Sequence, residues 1–348
     1  MSRPQGALVV GNFLSNSVGT RGVCEDLAER LEKAGVDVVT TSSYQARLPR
    51  LFDMVRTVQR QKSNYSVAQI DVYSGNGFFW AEAVCWRLRR LGKPFVLTLH
   101  GGNLPEFARR SPRRVRSLLR SAAAVTTPSG FLADEMRAYR EDLVLVPNAI
   151  EVTSYPYRLR ENPEPRLVWL RAFHRLYNPD LAIQVLAEIQ PHSPSATLLM
   201  IGPDKGDGSL GRARDLAARM GVGDRVTFVG GVPKHDVPSL MDRGDIFLNT
   251  SDVDNAPVTV VEAMACGLCV ISTKIGGIEH LVRDGEQAML VPPADPGAMG
   301  AAVTQLLKDP ELAAHLSQSG RQRAEGFDWS KVLPQWLELL GSISREAA

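Results

Sequence analysis

Short apolar, β-branched segments alternate with helix-like segments along most of the chain, and this alternation limits the folds open to it. In the first half the strand-like segments are 7–11, 36–40, 68–73, 94–100, 123–127 and 143–146. Buried strands of a parallel sheet have this length and composition. Helix-like segments such as 20–34 and 78–91 lie between them. The pattern predicts a doubly wound α/β domain.

The alternation stops once and then starts again, which divides the chain. Residues 155–165 hold three prolines and several charges without apolar periodicity. Strand-like segments resume at 166–171, 196–201, 225–229, 245–249, 269–272 and 288–291. A chain of 348 residues also suits two domains of ordinary size. We predict an N-terminal domain (1–157), a linker (158–165), a C-terminal domain (166–326) and a terminal helix (327–348) that could pack back on the first domain.

Composition and charge exclude several classes of protein. The net charge of +2 and the charged fraction of 22% predict no nucleic-acid partner for the molecule as a whole. Apolar runs are of strand length, far short of the roughly 20 residues of a membrane-spanning helix. The N-terminus lacks the apolar core of a secretory signal. We therefore expect a cytoplasmic protein.

Cysteine spacing gives one ambiguous signal. The chain has four cysteines, too few for a disulfide framework at this length. Cys266 and Cys269 have the spacing of redox and zinc sites, but no further ligands lie nearby at similar spacing. Buried packing is the interpretation that we favour for both.

The segment 251–270, SDVDNAPVTVVEAMACGLCV, places two acids around the start of a predicted helix. Asp254 lies in the loop before the helix, where it could reach hydroxyls of a sugar. Glu262 lies inside the helix, where it could accept hydrogen bonds from a pair of ribose hydroxyls. Two acids at this separation are also common by chance on surface helices.

The start of this helix is a candidate anion site. Asn255 is close to the cap, and Pro257 suits the first turn. The free N–H groups of Val258 and Thr259 would then point at a ligand, and they could hold a diphosphate without lysine or metal.

The wording of the longer segment 254–295 is more specific than the spacing of its acids. DNAPVTVVEAMACGLCVISTKIGGIEHLVRDGEQAMLVPPAD resembles the donor-binding signature of family-4-type (GT4) retaining glycosyltransferases, the glycosyl transferases group 1. Residues 146–150 and 226–230 resemble further parts of that family's sequence. The resemblance implies the GT-B fold, with two Rossmann-like doubly wound parallel-sheet domains facing across a cleft. It also implies transfer of a hexose from a UDP- or GDP-linked sugar nucleotide to an acceptor hydroxyl, in glycan or glycoconjugate biosynthesis.

Carried over to this chain, the family's motif gives Glu262 the donor ribose and Asp254 the transferred sugar. Family members usually have glutamate where Asp254 stands. The resemblance implies no cofactor and no metal ion. Asp252 and Asp254 match the DxD spelling of metal-dependent transferases with another fold, but only Asp254 fits the motif, and we expect no metal site.

The diphosphate site departs from the family's pattern. The family commonly places Arg and Lys, five residues apart, after the first strand of the second domain, to neutralise the leaving group. Here Ala172 and Tyr177 stand in those positions. Arg171 and Arg175 are the candidate substitutes, with Arg175 as the catalytic one, although both could be solvated surface groups. Gly202, after the next strand, completes the donor-binding candidates.

This departure leaves two alternatives to a transferase open. One is a catalytically weak sugar-nucleotide-binding protein, and the other is a sugar-nucleotide epimerase on the same fold.

In the first domain two loops are candidate sites. Gly11 and Asn12 follow the first strand, and Gly19 precedes the first helix. They resemble the family's glycine loop for acceptor or phosphate, although a plain turn explains them equally well. His100 and Gly101 follow another strand, and in the family a histidine at such a position contacts the sugar or its surroundings. His100 is therefore a catalytic candidate, but not a general base.

A basic stretch is the last candidate. The helix-like stretch that follows His100 carries a patch of arginines without an acid among them: Arg109, Arg110, Arg113, Arg114 and Arg116. Such a patch could bind the anionic inner face of a membrane, or it could be a solvated helix face. Aromatic residues are too few in it for single-stranded nucleic acid.

Overall fold

Two compact units make up the chain, of which the computed structural model describes residues 4–14 and 22–346. Unit 1 comprises Met1–Ala149 and Trp329–Ala348, and unit 2 comprises Ile150–Asp328. The boundary therefore lies at 149/150, before the predicted one. Each unit is built on its own six-stranded sheet, in which every strand pairing is parallel.

The sheet of unit 1 has the strand order β2-β1-β3-β4-β5-β6. Its strands are β1 (Gly6–Val10), β2 (Asp37–Thr41), β3 (Val67–Val72), β4 (Phe95–Leu99), β5 (Ala124–Thr127) and β6 (Leu143–Leu145). Its helices up to residue 149 are α1 (Val23–Lys33), α2 (Arg47–Arg60), α3 (Asn76–Arg90), α4 (Leu104–Arg110), α5 (Pro112–Arg120) and α6 (Gly130–Met136). β1, β3 and β4 are buried along their whole length, as the apolar runs predicted.

The sheet of unit 2 has the order β12-β11-β10-β7-β8-β9. Its strands are β7 (Arg166–Leu170), β8 (Thr197–Ile201), β9 (Val226–Gly230), β10 (Ile246–Asn249), β11 (Cys269–Thr273) and β12 (Ala288–Val291). Its α-helices are α7 (Pro179–Ile189), α8 (Ser209–Arg219), α9 (Val237–Met241), α10 (Val258–Ala265), α11 (Ile278–Leu281), α12 (Pro296–Lys308) and α13 (Pro310–Glu325). Short 3-10 helices lie at Val152–Ser154, Arg175–Tyr177, Gly223–Arg225 and Lys234–Asp236.

Each sheet has one point at which the strand order reverses, and ligands of open parallel sheets bind outside the carboxyl ends of the strands there. In unit 1 this point lies between β1 and β3, and in unit 2 between β7 and β10. The loops that follow these four strands are therefore where the geometry of the fold predicts binding.

The predicted linker 158–165 lies within unit 2 and packs into it. The Arg160 side chain is fully buried, and its Nη2 donates to Asp242 Oδ1 at 2.8 Å. Asp245, itself buried, pairs with Arg158 at 2.8 Å and with Arg166 at 2.7 Å. The arginines of this segment are thus paired with acids that lie just before β10.

The terminal helix, α14 (Trp329–Glu346), belongs to unit 1. It starts two residues later than predicted, at Trp329, and returns the chain to the unit in which it began. Its apolar face joins a core with residues of β1 and α1. The buried members on α14 are Trp329, Val332, Trp336, Leu337, Leu340 and Ile343.

No helix among residues 4–14 and 22–346 is both long enough and apolar enough to cross a membrane.

Candidate functional site

The loops at the switch point of unit 2 bring together most of the predicted donor-site residues. Arg171 directly follows β7, and 250–257 connect β10 to α10. β7 and β10 are neighbours, so the two loops leave the sheet side by side at its carboxyl edge. Motif spacing and strand order therefore indicate the same place.

Arg171 and Asp254 form an ion pair between these loops, and both side chains are largely buried. The guanidinium of Arg171 also lies over the ring of Tyr177, 4.6 Å from its centroid. Burial lowers the pKa of Arg171. Its Nε is buried and has no hydrogen-bond acceptor among the described residues. Tyr177, which stands where the family usually has lysine, thus forms a cation–π contact with Arg171.

The carboxylate of Asp254 has further contacts that fix its orientation. Its Oδ1 accepts from the backbone N–H of Asn255 at 2.9 Å, and its Oδ2 accepts from Ser251 Oγ at 3.4 Å. The aspartate side chain, which is shorter than the glutamate usual in the family, is therefore held close to its own loop.

Glu262 lies on α10, and it is 2% exposed. Its Oε1 accepts a hydrogen bond from the hydroxyl of Tyr155 at 2.7 Å and forms an ion pair with Lys234 Nζ. Lys234 follows β9 and was not predicted from the sequence, and neither was Tyr155. A buried carboxylate needs such partners, but nothing in the linear sequence shows which residues supply them.

The start of α10 corrects one local prediction. Pro257 is the N-cap residue and not part of the first turn, and the helix begins at Val258. The N–H groups of Val258 and Thr259 have no acceptor within the helix, whereas that of Val260 donates to the carbonyl oxygen of Pro257 at 3.1 Å. The side-chain oxygen of Thr259, Oγ1, is buried and has no hydrogen-bond partner among the described residues. A donor-rich turn with an unpaired hydroxyl is suited to an anion.

Two glycines let the next loop approach this one. A Cβ on Gly276 would lie 2.3 Å from the carbonyl oxygen of Asp254, and one on Gly277 would lie 1.6 Å from that of Asn255. Gly202, a predicted donor-site residue, has a similar place, since its Cβ would lie 1.8 Å from the carbonyl oxygen of Arg171. The structure gives Gly202 a role in positioning Arg171.

Arg175 differs from Arg171 in exposure and in partners. Its side chain is exposed and makes no ion pair with residues that the structure describes. Its backbone N–H donates to Asp207 Oδ2 at 2.9 Å, which contributes to a pKa of Asp207 well below its usual range. Arg175 therefore has its charge available to an anion in solution.

The acids of the DxD spelling contact protein side chains, and the thiols of the CxxC spelling are buried. Asp252 is exposed and accepts from Asn178 Nδ2 at 3.2 Å, while Asp254 pairs with Arg171. Burial raises the pKa of both Cys266 and Cys269 to about 12. Within the described part of the chain, no group of three or more His, Cys, Asp or Glu could hold a metal ion.

At the switch point of unit 1, His100 meets a buried acid that the sequence did not single out. Its Nε2 lies 3.0 Å from Asp71 Oδ1, and both residues are buried. Gly11 follows β1, and a Cβ there would lie 2.6 Å from Cys24 Sγ and 3.0 Å from Asp71 Oδ2. Gly101 has φ +86 and no atom near its Cβ position, so only its backbone conformation favours glycine.

Asn12 is held by a buried cation. Arg50 Nη1 donates to Asn12 Oδ1 at 2.9 Å, and burial lowers the pKa of Arg50. Gly19, the remaining residue of the predicted glycine loop, lies outside the described residues.

The basic stretch forms two helices, α4 and α5, and its charge is partly neutralised. The prediction of a patch without acids is wrong in space, because Glu106 pairs with Arg109 and Arg110, and Glu82 of α3 accepts from Arg114. The two members without a carboxylate partner among the described residues are Arg113 and Arg116.

Comparison with known proteins gives two family matches in chain order. The description "Glycosyltransferase Family 4" matches residues 24–154, and "Glycosyl transferases group 1" matches residues 158–323.

Curated relatives are similar over part of their lengths. A D-inositol 3-phosphate glycosyltransferase of Acidothermus cellulolyticus is 26% identical over 286 residues, which are 73% of this chain and 64% of that protein. A GDP-mannose-dependent alpha-(1-6)-phosphatidylinositol monomannoside mannosyltransferase of Mycolicibacterium smegmatis is 31% identical over 48% of this chain and 45% of that protein. The chain thus spans less than two thirds of the length of either relative.

Solved structures resemble the whole chain. The sucrose-phosphate synthase from Thermosynechococcus elongatus has a TM-score of 0.83 at 20% identity and covers 98% of this chain and 100% of its own. Anabaena HepE in complex with UDP-glucose has a TM-score of 0.76 at 19% identity, with 97% and 99% covered. At this identity the likeness concerns the fold.

Proposed function

Since the chain belongs to the glycosyl transferases group 1, with the GT-B fold, we propose that it transfers a hexose from a UDP- or GDP-linked sugar to an acceptor hydroxyl. We propose further that the anomeric configuration is retained and that no metal ion takes part. The proposal is carried by one observation: Glu262, the Arg171–Asp254 pair and the start of α10 lie together at the switch point of unit 2.

The start of α10 is where the diphosphate would bind. The N–H groups of Val258 and Thr259 would donate to phosphate oxygens, and the hydroxyl of Thr259 would gain the partner that it lacks among the described residues. Arg175, which is exposed and has no ion pair with a described residue, would add positive charge. These groups replace the Arg and Lys pattern from which the sequence departs.

Glu262 would bind the ribose. Tyr155 and Lys234 both contact its Oε1, so ribose hydroxyls would donate to Oε2. The positive charge of Lys234 compensates the buried carboxylate before any nucleotide arrives. One relative is GDP-mannose-dependent and one structural neighbour is in complex with UDP-glucose, so both guanine and uracil nucleotides are candidate donors to test.

Asp254 and Arg171 would act at the reacting end of the donor. A hexose hydroxyl would donate to Asp254, whose carboxylate is already oriented by Ser251 and Arg171. Arg171, adjacent to the leaving diphosphate, would stabilise the charge that grows on it in the transition state. Asp254 would thus bind the hexose and Arg171 the leaving group, and the ion pair between them would hold both side chains in position.

Retention would follow from attack on the face that the leaving group departs from. The bond between the anomeric carbon and the acceptor oxygen forms as the bond to the diphosphate oxygen breaks. The acceptor's proton passes to the departing phosphate, so no enzyme nucleophile is required.

The test is sugar transfer and donor hydrolysis by the purified chain over a panel of UDP- and GDP-sugars in EDTA, with the product anomer identified by NMR. Glu262→Ala should lower turnover by about a hundredfold, since a charged hydrogen-bonding group is lost. Glu279→Ala is the matched control, because that acid is exposed and its ion-pair partner within the described part of the chain is Lys274. Unchanged turnover in Glu262→Ala would reject the donor-site assignment, and loss of turnover in EDTA would reject metal independence.

One observation favours a second candidate, binding without efficient turnover. Arg171, the cation nearest the reacting end, is already paired with Asp254, and Tyr177 stands where a lysine is usual. Calorimetry with UDP and GDP separates the candidates, because tight binding without turnover across the panel would favour a binding protein.

Peripheral contact with an anionic membrane would depend on Arg113 and Arg116, because the other three arginines of the patch have carboxylate partners. Sedimentation with vesicles of phosphatidylcholine and phosphatidylserine tests it. The double variant Arg113→Ala/Arg116→Ala should bind less than wild type, by about 1 kcal/mol per residue removed.

A further inference from the structure

The buried acid of unit 1, Asp71, has contacts that the proposed donor chemistry does not use. It is the fifth residue of β3, next to the switch point between β1 and β3. Its Oδ1 accepts from Gln69 Nε2 at 2.9 Å and contacts His100 Nε2 at 3.0 Å. Its Oδ2 accepts from the hydroxyl of Tyr73 at 3.4 Å. Asp71 is therefore a carboxylate that three side chains hold in place, at the edge of the sheet where ligands bind.

The charge of this acid is retained in spite of burial. Burial raises the pKa of Asp71, but the contact with His100 and the hydrogen bond from Gln69 outweigh it and hold the pKa below its usual range. Asp71 is therefore an acceptor only, and the ring nitrogen that faces it must carry a hydrogen.

The imidazole of His100 is also fixed in its plane. The rings of Tyr73 and His100 are stacked, with centroids 5.1 Å apart and an angle of 19° between planes. The backbone N–H of His100 donates to the carbonyl oxygen of Val72 at 2.9 Å. Position, plane and one ring nitrogen are thus set by β3 and the residue that follows it.

We propose that Asp71 and Tyr73 are positioning residues for His100: the carboxylate selects the Nε2–H tautomer and the stacked phenol fixes the ring, so that Nδ1 is offered as an acceptor to a substrate hydroxyl. The substrate class is a polyol, the hexose donor or its acceptor, and this part of the inference rests on the proposed function. In a neutral imidazole the nitrogen opposite the N–H is the acceptor, so the tautomer decides whether His100 accepts from a hydroxyl or donates to it.

The tautomer can be measured without any activity. Ring nitrogen shifts of the full chain labelled with ¹⁵N-histidine distinguish the two neutral tautomers, and His100→Gln identifies the His100 signals among the 6 histidines. The wild type should show the Nε2–H form. Asp71→Asn, which keeps the shape and removes the charge, should populate the other tautomer.

Kinetics then test the consequence. Asp71→Asn should lower kcat/KM for transfer by about tenfold and leave the Kd for UDP or GDP unchanged, because the nucleotide groups are assigned to unit 2. Tyr73→Phe should keep the stacked ring and most of the activity, and Tyr73→Ala should not. Asp53→Asn is the control, an acid of the same unit that accepts from Thr41 at 3.1 Å and has no contact with His100.

The Nδ1–H form in the wild type would overturn the inference. So would an Asp71→Asn variant that keeps both the wild-type tautomer and wild-type kcat/KM. A chain that transfers no sugar from any donor would reject the proposed function instead, and the nitrogen shifts would still decide whether Asp71 sets the tautomer of His100.

Discussion

At the switch point of unit 2, the sequence predicts the positions of single residues but not the residues that they contact. The positions of Glu262 and Asp254 follow from a motif, because their spacing relative to a helix start is local. Tyr155 and Lys234 could not be predicted as partners of Glu262, since 107 and 28 residues separate them from it. Asp71 was missed for the same reason, because its importance depends on a histidine 29 residues away.

The Arg171–Asp254 pair should be strongly coupled. Arg171→Ala and Asp254→Ala each leave a largely buried charge without its partner, and each should lower the free energy of unfolding by about 3 kcal/mol. The double variant should lose less than the sum, because neither charge is then left alone. Urea unfolding of the four proteins gives the coupling energy, and additive losses would show that the pair contributes nothing jointly.

Gly276 should be irreplaceable for a reason that Gly285 does not share. Both have positive φ, +48 at Gly276 and +73 at Gly285. A Cβ on Gly276 would collide with Asp254, whereas a Cβ on Gly285 would have no atom near it. Gly285→Ala should cost about 1 kcal/mol, the strain of the backbone alone. Gly276→Ala should cost about 3 kcal/mol, because the loop must also shift. Equal losses in thermal unfolding would refute the close approach.

At the scale of elements, strands were more predictable than their arrangement. All twelve predicted strands are present, with ends within one residue of the predicted ones, because buried parallel strands have a distinctive composition. Strand order depends on pairing between distant segments, and no local pattern encodes it. Residues 158–165 were predicted as a linker because the segment holds prolines and charges without apolar periodicity, but in the structure Arg160 pairs with Asp242 inside unit 2.

Helix α14 should be essential to unit 1. Leu340 is fully buried in the core shared with β1 and α1, so Leu340→Ala should lower the free energy of unfolding by about 3 kcal/mol. Glu338→Ala, on the exposed face of the same helix, should change it by less than about 0.5 kcal/mol. Chemical denaturation measures both. Equal effects would mean that the helix does not pack as described.

At the scale of the molecule, the cysteines report on each unit separately. Cys24 and Cys85 lie in unit 1, and Cys266 and Cys269 in unit 2, all buried and free. Burial raises the pKa of every one of these thiols, so the native chain should resist iodoacetamide at pH 8. As the urea concentration rises, the two cysteines of a unit should become labelled together, and peptide mass spectrometry would resolve one such pair for each unit. Modification of the native chain would contradict the described burial.

The return of α14 makes unit 2 an insertion within the sequence of unit 1. The two ends of the insertion are joined, because the N–H of Ile150 donates to the carbonyl oxygen of Phe327 at 3.0 Å and that of Val152 donates to Asp328 Oδ2 at 2.9 Å. A gene fragment for residues 150–328 would therefore encode a continuous, closed piece with adjacent termini. Under the proposed function, which puts the donor site in unit 2, exchange of this piece between relatives should change the preferred sugar nucleotide and leave unit 1 as it is.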